Sequence, residues 1–410
     1  MPDNKCRFCG TPLTDTVVDL GMSPLSNSFV SAEQLNAKEA FYPLHVYVCP
    51  QCFLVQLEEF ESPDTIFNDY AYFSSYSDTW LNHARQYTEA IHERFSITNK
   101  KLVVEIASND GYLLQYFQAK GIPVLGIEPA ENVAQTAIEK GISTVIDFFG
   151  RPLAEQLKTD GIKADLLLGN NVLAHVPDIN DFVAGMETIL QKNGIITMEF
   201  PHLLKLMEQR QFDTIYHEHF SYLSFTTVET IFKAHGLKIF DVEELSTHGG
   251  SLRVYACHSE FTAHSIEENV VMMKEKEEAF GMKDLETYRA FAKKVRSVKF
   301  ELLETLLALK KEGKTIVGYG APAKGNTLLN YCGIRTDFID YTVDRSPYKQ
   351  GKFLPGTHIP ILKPERIRET QPDYVWILPW NLKEEIMEQM SYIREWGGRF
   401  IVAIPSVEVI

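Results

Sequence analysis

Residues 214–224 read TIYHEHFSYLS, the densest run of chemically capable side chains in the 410-residue chain. Tyr216, His217, Glu218, His219 and Tyr222 stand close together, and Phe220, Leu223 and Phe225 give the segment an apolar anchor. A histidine beside a glutamate and a tyrosine makes an acid–base set, because imidazole changes charge near neutral pH. The H-E-H spacing is not the H-E-x-x-H that sets two histidines on one helix face, so no catalytic metal is read here. In an extended run 216, 218 and 220 would share one face and 217 and 219 the other. A turn would break that parity, so spacing alone does not choose between the two histidines.

A second chemistry lies at the N-terminus. Cys6-x-x-Cys9 and Cys49-x-x-Cys52 are two pairs of the kind that turn both thiolates toward one ion. Gly10 follows the first pair and Pro50 lies inside the second, as in metal-binding knuckles. Four ligands leave no open position, so the expected zinc is structural. His45, close to the second pair, is expected to be an ordinary strand histidine. Cys257 and Cys332 stand alone and are expected to be buried thiols.

A third stretch, LVVEIASNDGY over 102–112, reads as strand, tight turn and helix start. About twenty residues later an apolar run from Pro123 to Ile127 ends in Glu128, where a Rossmann-type fold grips ribose hydroxyls. A dinucleotide turn wants G-x-G-x-x-G, yet these positions carry Ala107, Asn109 and Gly111. Side chains at the first two would crowd a diphosphate, and Glu105 would repel one. S-adenosylmethionine (SAM) has no phosphate, and its ammonium suits Glu105. Asp147 and Phe148 follow a short strand, Thr144–Ile146, and are placed to hold adenine, with Phe149 beside them. Asn170 and Asn171 follow the next strand, with His175 in the same crevice.

Two further candidates concern a second ligand. The loop GAPAKGNTLLNYCG, opening at Gly320, offers backbone amides, Lys324 and Asn326 to an anion, without the P-loop G-K-[ST] ending. Residues 66–80 are dense in aromatics and hydroxyls, and Tyr70, Tyr72 and Tyr76 could line a polar pocket for a sugar or base.

The elements that must position these groups follow an α/β pattern. Strands at Ala164–Gly169, Ile195–Phe200, Leu237–Val242 and Ser251–Cys257 extend the first three to a seven-stranded sheet. The expected fold is thus a zinc-binding unit over 1–75, a seven-stranded class I SAM-type α/β domain over 76–262, and a second Rossmann-like α/β domain over 263–410. Residues 263–312 are charged and amphipathic, and their charges are expected mostly on a solvated face. Strands at Thr315–Tyr319, Tyr341–Val343, Tyr374–Leu378 and Phe400–Ala403 restart the α/β alternation. The net charge of −15 argues against nucleic acid or an anionic membrane as partner. With no long uncharged apolar run and no signal-like h-region at MPDNKC, a soluble cytoplasmic protein is expected, a monomer or small homo-oligomer.

The sequence resembles a known family. EIASNDGYLL, GIEPA, the four-cysteine unit, YHEHFSYLS and GAPAKGNTLLN occur together and in this order in the sugar C-methyltransferases of deoxysugar biosynthesis. The likeness covers essentially the whole chain. It implies SAM-dependent methylation of C-3′ of a 4-keto-6-deoxy sugar nucleotide, dTDP-linked by preference and GDP-linked as the alternative. It also implies bound zinc and a sugar nucleotide held by the zinc and C-terminal domains. The family's catalytic residues map onto Tyr216, Glu218 and His219, with His175 nearby. Ala107 departs from the general methyltransferase glycine, although small residues are usual there in this family. A base would remove the acidic C-3 proton, leaving an enolate that attacks the SAM methyl. His219 is the expected base. The alternatives are a SAM- or NAD-binding sugar-nucleotide enzyme that does not methylate, and a zinc-containing binding or scaffold protein.

Overall fold

A computed structural model describes residues 4–62 and 73–410. Tyr70 and Tyr72 lie outside the described residues. The chain resolves into two compact units, both assembled from separated pieces. The first contains 1–13, 49–203 and 220–283; the second contains 14–48, 204–219 and 284–410.

The first unit is built on a seven-stranded sheet. In spatial order its strands are Leu237–Leu245, Ser251–His258, Leu190–Pro201, Ala164–Asn170, Val103–Ile106, Val124–Ile127 and Thr144–Val145. The last five run parallel. Ser251–His258 is antiparallel to both its neighbours and lies inside the sheet rather than at its edge. The central strands are apolar on both faces, as strands covered by helices on both sides must be. Their alternation sorts side chains into two cores. Val104, Ile106, Leu167, Ile196 and Met198 join one core, while Val103, Leu166, Leu168 and Ile195 join the other. Cys6, Cys49 and Leu54 belong to the first of these cores, so the cysteine knuckles share its apolar packing.

Helix Asp78–Phe95 covers the second core. Ser77 caps it by accepting from Trp80 N, and Trp80, Ala84, Tyr87 and Ile91 recur at helical spacing on its buried face. The charged run KEKEEAF lies in helix Glu268–Phe280, but Glu277 departs from the expected solvated face and is fully buried. Its carboxylate accepts from Phe225 N (2.6 Å), Thr226 N (2.8 Å) and His202 Nε2 (2.8 Å). It thereby serves the unpaired amides at the start of helix Phe225–Ala234. These bonds to the charged form hold Glu277 below the ordinary carboxylate range although burial pushes the other way.

The second unit carries a six-stranded sheet. Its order is Ile361–Leu362, Thr342–Val343, Ile316–Tyr319, Tyr374–Ile377, Arg399–Val402 and Glu408–Val409. In chain order that is 3-2-1-4-5-6, the dinucleotide-fold arrangement, with only the final strand antiparallel. The two-residue strands Ile361–Leu362 and Glu408–Val409 carry too little pattern to be read from sequence. An antiparallel hairpin, Asp15–Ser23 with Tyr42–Val48, joins this unit and packs against the 27-residue helix Leu285–Lys311. Tyr288, Phe291, Val295, Val298, Leu302 and Leu306 give that helix its apolar stripe. Among the described residues no helix is long and apolar enough to cross a membrane.

One glycine sets the geometry of the nucleotide turn. Gly111 has φ +74°, and a Cβ there would stand 2.3 Å from Ile142 Cδ1. Gly111→Ala should therefore lower stability by about 1–3 kcal/mol, from left-handed strain plus overpacking. Urea denaturation monitored by fluorescence measures this; an unchanged midpoint would contradict it.

Candidate active site

Zinc at the knuckles is tested by the thiol geometry. Ligands about 2.3 Å from a tetrahedral ion stand about 3.8 Å apart. Cys6 and Cys52 Sγ are 3.5 Å apart, as are Cys9 and Cys49, and Cys9 and Cys52 are 3.6 Å apart. All four sulfurs lie within 4.8 Å of one another, too close for chance and too far for disulfides. The set fits one ion with no open position. Gln56 Nε2 donates to Cys6 Sγ at 3.3 Å, which stabilises a thiolate. His45 takes no part: its Nε2 meets Thr16 Oγ1 at 2.8 Å and its ring stacks on Tyr47.

The nucleotide turn brings Glu105, Ala107, Asn109, Gly111 and Glu128 together. Ala107 (φ +55°) and Asn109 (φ +50°) adopt the left-handed conformation that glycines take in dinucleotide turns. Two tethers hold Asn109 there. Asn109 N donates to Glu128 Oε2 (2.9 Å), and Ser74 N donates to Asn109 Oδ1 (2.9 Å). Glu128 Oε1 also accepts from Ala130 N (2.9 Å), at the start of helix Glu131–Glu139. Glu128 is thus a strut of the turn as well as a candidate for ribose hydroxyls. Burial raises its pKa, and the two backbone donors restrain the rise.

Glu105 is fully buried, and the Tyr112 side chain is the one polar neighbour among the described residues that eases its charge. Burial first, then the charges of Glu128 and Asp110, push it well above the ordinary carboxylate range. A buried carboxyl so thinly supplied with donors fits an incoming ammonium, so the residues present suit SAM. Asn170 Nδ2 is likewise buried, beside the Tyr112 side chain. Asp147 and Phe148 are exposed beyond the third strand, and Phe148 N donates to Asp147 Oδ1. Phe149 departs from the adenine reading by packing edge-on against Phe182 in the core. Tyr76 is 77% exposed, its ring stacked on Phe73. His175 closes the short helical turn Leu173–His175, and its amide donates to Val172 O.

In the second unit the acid–base segment forms a turn, with His219 N donating to Tyr216 O at 2.9 Å. The strand parity is broken, and the two histidines are held differently. His217 is 5% exposed, contacts Pro43 O through Nε2 (3.2 Å) and meets Tyr42 edge-on, and burial lowers its pKa. His219 is half-buried, and its Nδ1 contacts Thr214 O at 2.9 Å. A carbonyl only accepts, so that contact assigns the proton of neutral His219 to Nδ1 and makes Nε2 the basic nitrogen. The Tyr216 ring lies 4.1 Å from the His219 ring.

Glu218 is 6% exposed and accepts from Asn27 Nδ2 at 2.7 Å. Burial pushes its pKa up to about 7, with the Asn27 bond and the Lys349 charge pulling back. Neither Asn27 nor Lys349 carried a sequence signal, since 191 positions separate Asn27 from Glu218.

Lys324 Nζ donates to Asn381 Oδ1 (2.8 Å) and lies 4.6 Å from the centre of the Trp380 ring. Trp380 Nε1 donates to buried Asp213 Oδ2 at 2.7 Å. Burial raises Asp213 to about 6, and the Lys324 charge opposes that rise. Lys324 therefore feels the charge of an acid that sequence reasoning missed. Asn326 is 1% exposed and spends its amide NH₂ on Ser26 O at 2.6 Å. Gly320 and Gly325 flank Pro322, and Cβ atoms on the two glycines would crowd Pro379 and Leu378 respectively.

Three family models match this sequence: a zinc binding domain over residues 6–67, a methyltransferase domain over 80–242, and a C-methyltransferase C-terminal domain over 246–405. C-methyltransferase NovU from Streptomyces niveus is 37% identical over 409 residues, which cover 100% of this chain and 97% of NovU. Magnesium protoporphyrin IX methyltransferase ChlM from Synechocystis PCC 6803, solved with bound SAM, is 17% identical over 48% of this chain and 89% of its own, at a TM-score of 0.34. An S-adenosylmethionine-dependent methyltransferase from Clostridium acetobutylicum ATCC 824 is 11% identical over 43% of this chain and 92% of its own, at 0.36. Likenesses this shallow carry no argument.

Two measurements check the site. Purified protein should hold about one equivalent of zinc through dialysis, because metal bound by a folded thiolate set is part of folding; elemental analysis giving well under half an equivalent would reject this. Glu218 has a folded pKa above its unfolded value near 4.3, so its contribution to stability is complete below that value and is lost as pH rises through about 7. Relative to wild type, Glu218→Gln should gain on the order of 3 kcal/mol between about pH 5 and about pH 8, read by chemical denaturation. Parallel stability profiles for the two proteins would show that Glu218 does not titrate there.

Proposed function

Because the chain belongs to the SAM-dependent C-methyltransferase family, we propose that it methylates C-3′ of a nucleotide-linked 4-keto-6-deoxy sugar, with dTDP the favoured nucleotide. SAM supplies an electrophilic methyl group when bound. The turn at Glu105, Ala107, Asn109 and Gly111 would hold it, with Glu128 on its ribose and Asp147 and Phe148 at its adenine. The NAD and scaffold alternatives give way to the family match.

The observation that carries the acid–base assignment is the Nδ1 contact of His219 with Thr214 O. It leaves Nε2 to take a proton, and imidazole does so near neutral pH. A 4-keto group makes the C-3 proton acidic. His219 would remove that proton, and the electron pair left on carbon would be the nucleophile for the methyl that bound SAM supplies, with S-adenosylhomocysteine as the leaving group. The Tyr216 hydroxyl, with its ring against His219, is the donor suited to the developing oxyanion. Glu218, held by Asn27 and carrying a pKa near 7, is suited to hydrogen-bond a sugar hydroxyl in either protonation state. His175 is a second candidate donor. Lys324 is the candidate cation for the diphosphate, and Asn326, spent on Ser26 O, acts by shaping the start of helix Ala323–Cys332.

Proton abstraction separates from methyl transfer experimentally. With S-adenosylhomocysteine bound, wild-type enzyme should wash deuterium from C-3 of the 4-keto substrate. His219→Asn should abolish both wash-out and methylation while still binding both ligands, because loss of a general base typically costs about 10²–10⁴-fold. A variant within about tenfold of wild type would place the base elsewhere.

A further inference from the structure

Arg7 lies between two zinc ligands yet does not face the metal. Its main-chain N donates to Gln56 Oε1 at 2.9 Å, and Gln56 Nε2 donates in turn to Cys6 Sγ at 3.3 Å. Its guanidinium turns the other way. Nη1 donates to Pro177 O at 3.0 Å, Nη2 donates to Leu57 O, and the group lies 5.5 Å from the Phe220 ring centre. Pro177 is two residues beyond His175. Asn180 completes the clamp: its Nδ2 donates to Arg7 O (3.1 Å) and Phe8 O (2.9 Å).

A buried cation on main-chain carbonyls is costly unless something compensates it. Glu59 supplies the largest opposite charge, ahead of Cys6 and Asp178. Both ends of this residue are therefore constrained. The knuckle holds its backbone, and its side chain holds the carbonyl after the His175 turn.

We propose that Arg7 is a positioning residue that couples the zinc knuckle to the segment carrying His175, so that the metal orders residues 171–180. Its catalytic consequence rests on the reading of His175 as a functional group; the structural link does not.

The test uses the full chain with Arg7→Lys and Arg7→Met, scored by zinc content, hydrogen exchange and kinetics. Arg7→Lys retains the charge but cannot fork between Pro177 O and Leu57 O. With zinc still bound, exchange in 171–180 should rise about tenfold or more, while peptides over strand Ile316–Tyr319 and helix Ala323–Cys332 stay unchanged. The kcat should fall with KM for SAM within about twofold, and Arg7→Lys should recover part of what Arg7→Met loses. Should Arg7→Met fail to hold metal, chelator-stripped wild type replaces it and must show the same local loosening. Unchanged protection of 171–180 in zinc-loaded Arg7→Lys, or in stripped wild type, overturns the proposal. Loosening with unchanged kcat upholds the link and removes His175 from the mechanism.

Discussion

A carboxylate taken out of water must find donors or a cation, or give up its charge. The chain meets that constraint in two ways, and the difference separates scaffold from chemistry. Glu277 and Glu199 are buried and fully employed. Glu277 serves two amides and His202, while Glu199 meets His83 at 2.9 Å and Arg253 at 3.0 Å, and both stay below the ordinary carboxylate range. Glu105, Glu218 and Asp213 are as deeply buried but under-supplied, and burial raises all three. Perturbed groups of this kind concentrate at functional sites. All three lie in or beside the motifs that first drew attention.

The legible part of the fold was the part that repeats. Apolar runs ending in small or polar residues revealed the parallel strands of both sheets, and C-x-x-C pairs revealed the metal set. Less legible was anything decided by distant partners. KEKEEAF reads as a wet helix face because five of its seven residues are charged, and only the start of helix Phe225–Ala234 explains a buried glutamate there. The interior position of Ser251–His258 depends on pairing with Leu190–Pro201, which no local pattern records.

The candidate site divides in the same way. Tyr216, Glu218 and His219 are visible as residue types, and the pattern ends there. What distinguishes the two histidines is which carbonyl each meets, Pro43 or Thr214, and that follows from a turn rather than from composition. Asn27, Asp213, Trp380 and Arg7 had no motif of their own. Their roles arise from chain pieces that meet only after folding.

The interleaving of the two units also bears on how the protein can be made. The first unit needs residues as late as 283, and the second needs both 14–48 and the C-terminal end. On a ribosome the early hairpin strand Asp15–Ser23 emerges long before helix Leu285–Lys311, against which it packs. The second unit cannot finish folding until its C-terminal piece is made, and the hairpin must wait with its apolar face uncovered, the situation in which chaperones act. Excising any one of the six sequence-contiguous segments would remove part of one unit, so this architecture resists the cutting and recombination that tandem domains tolerate.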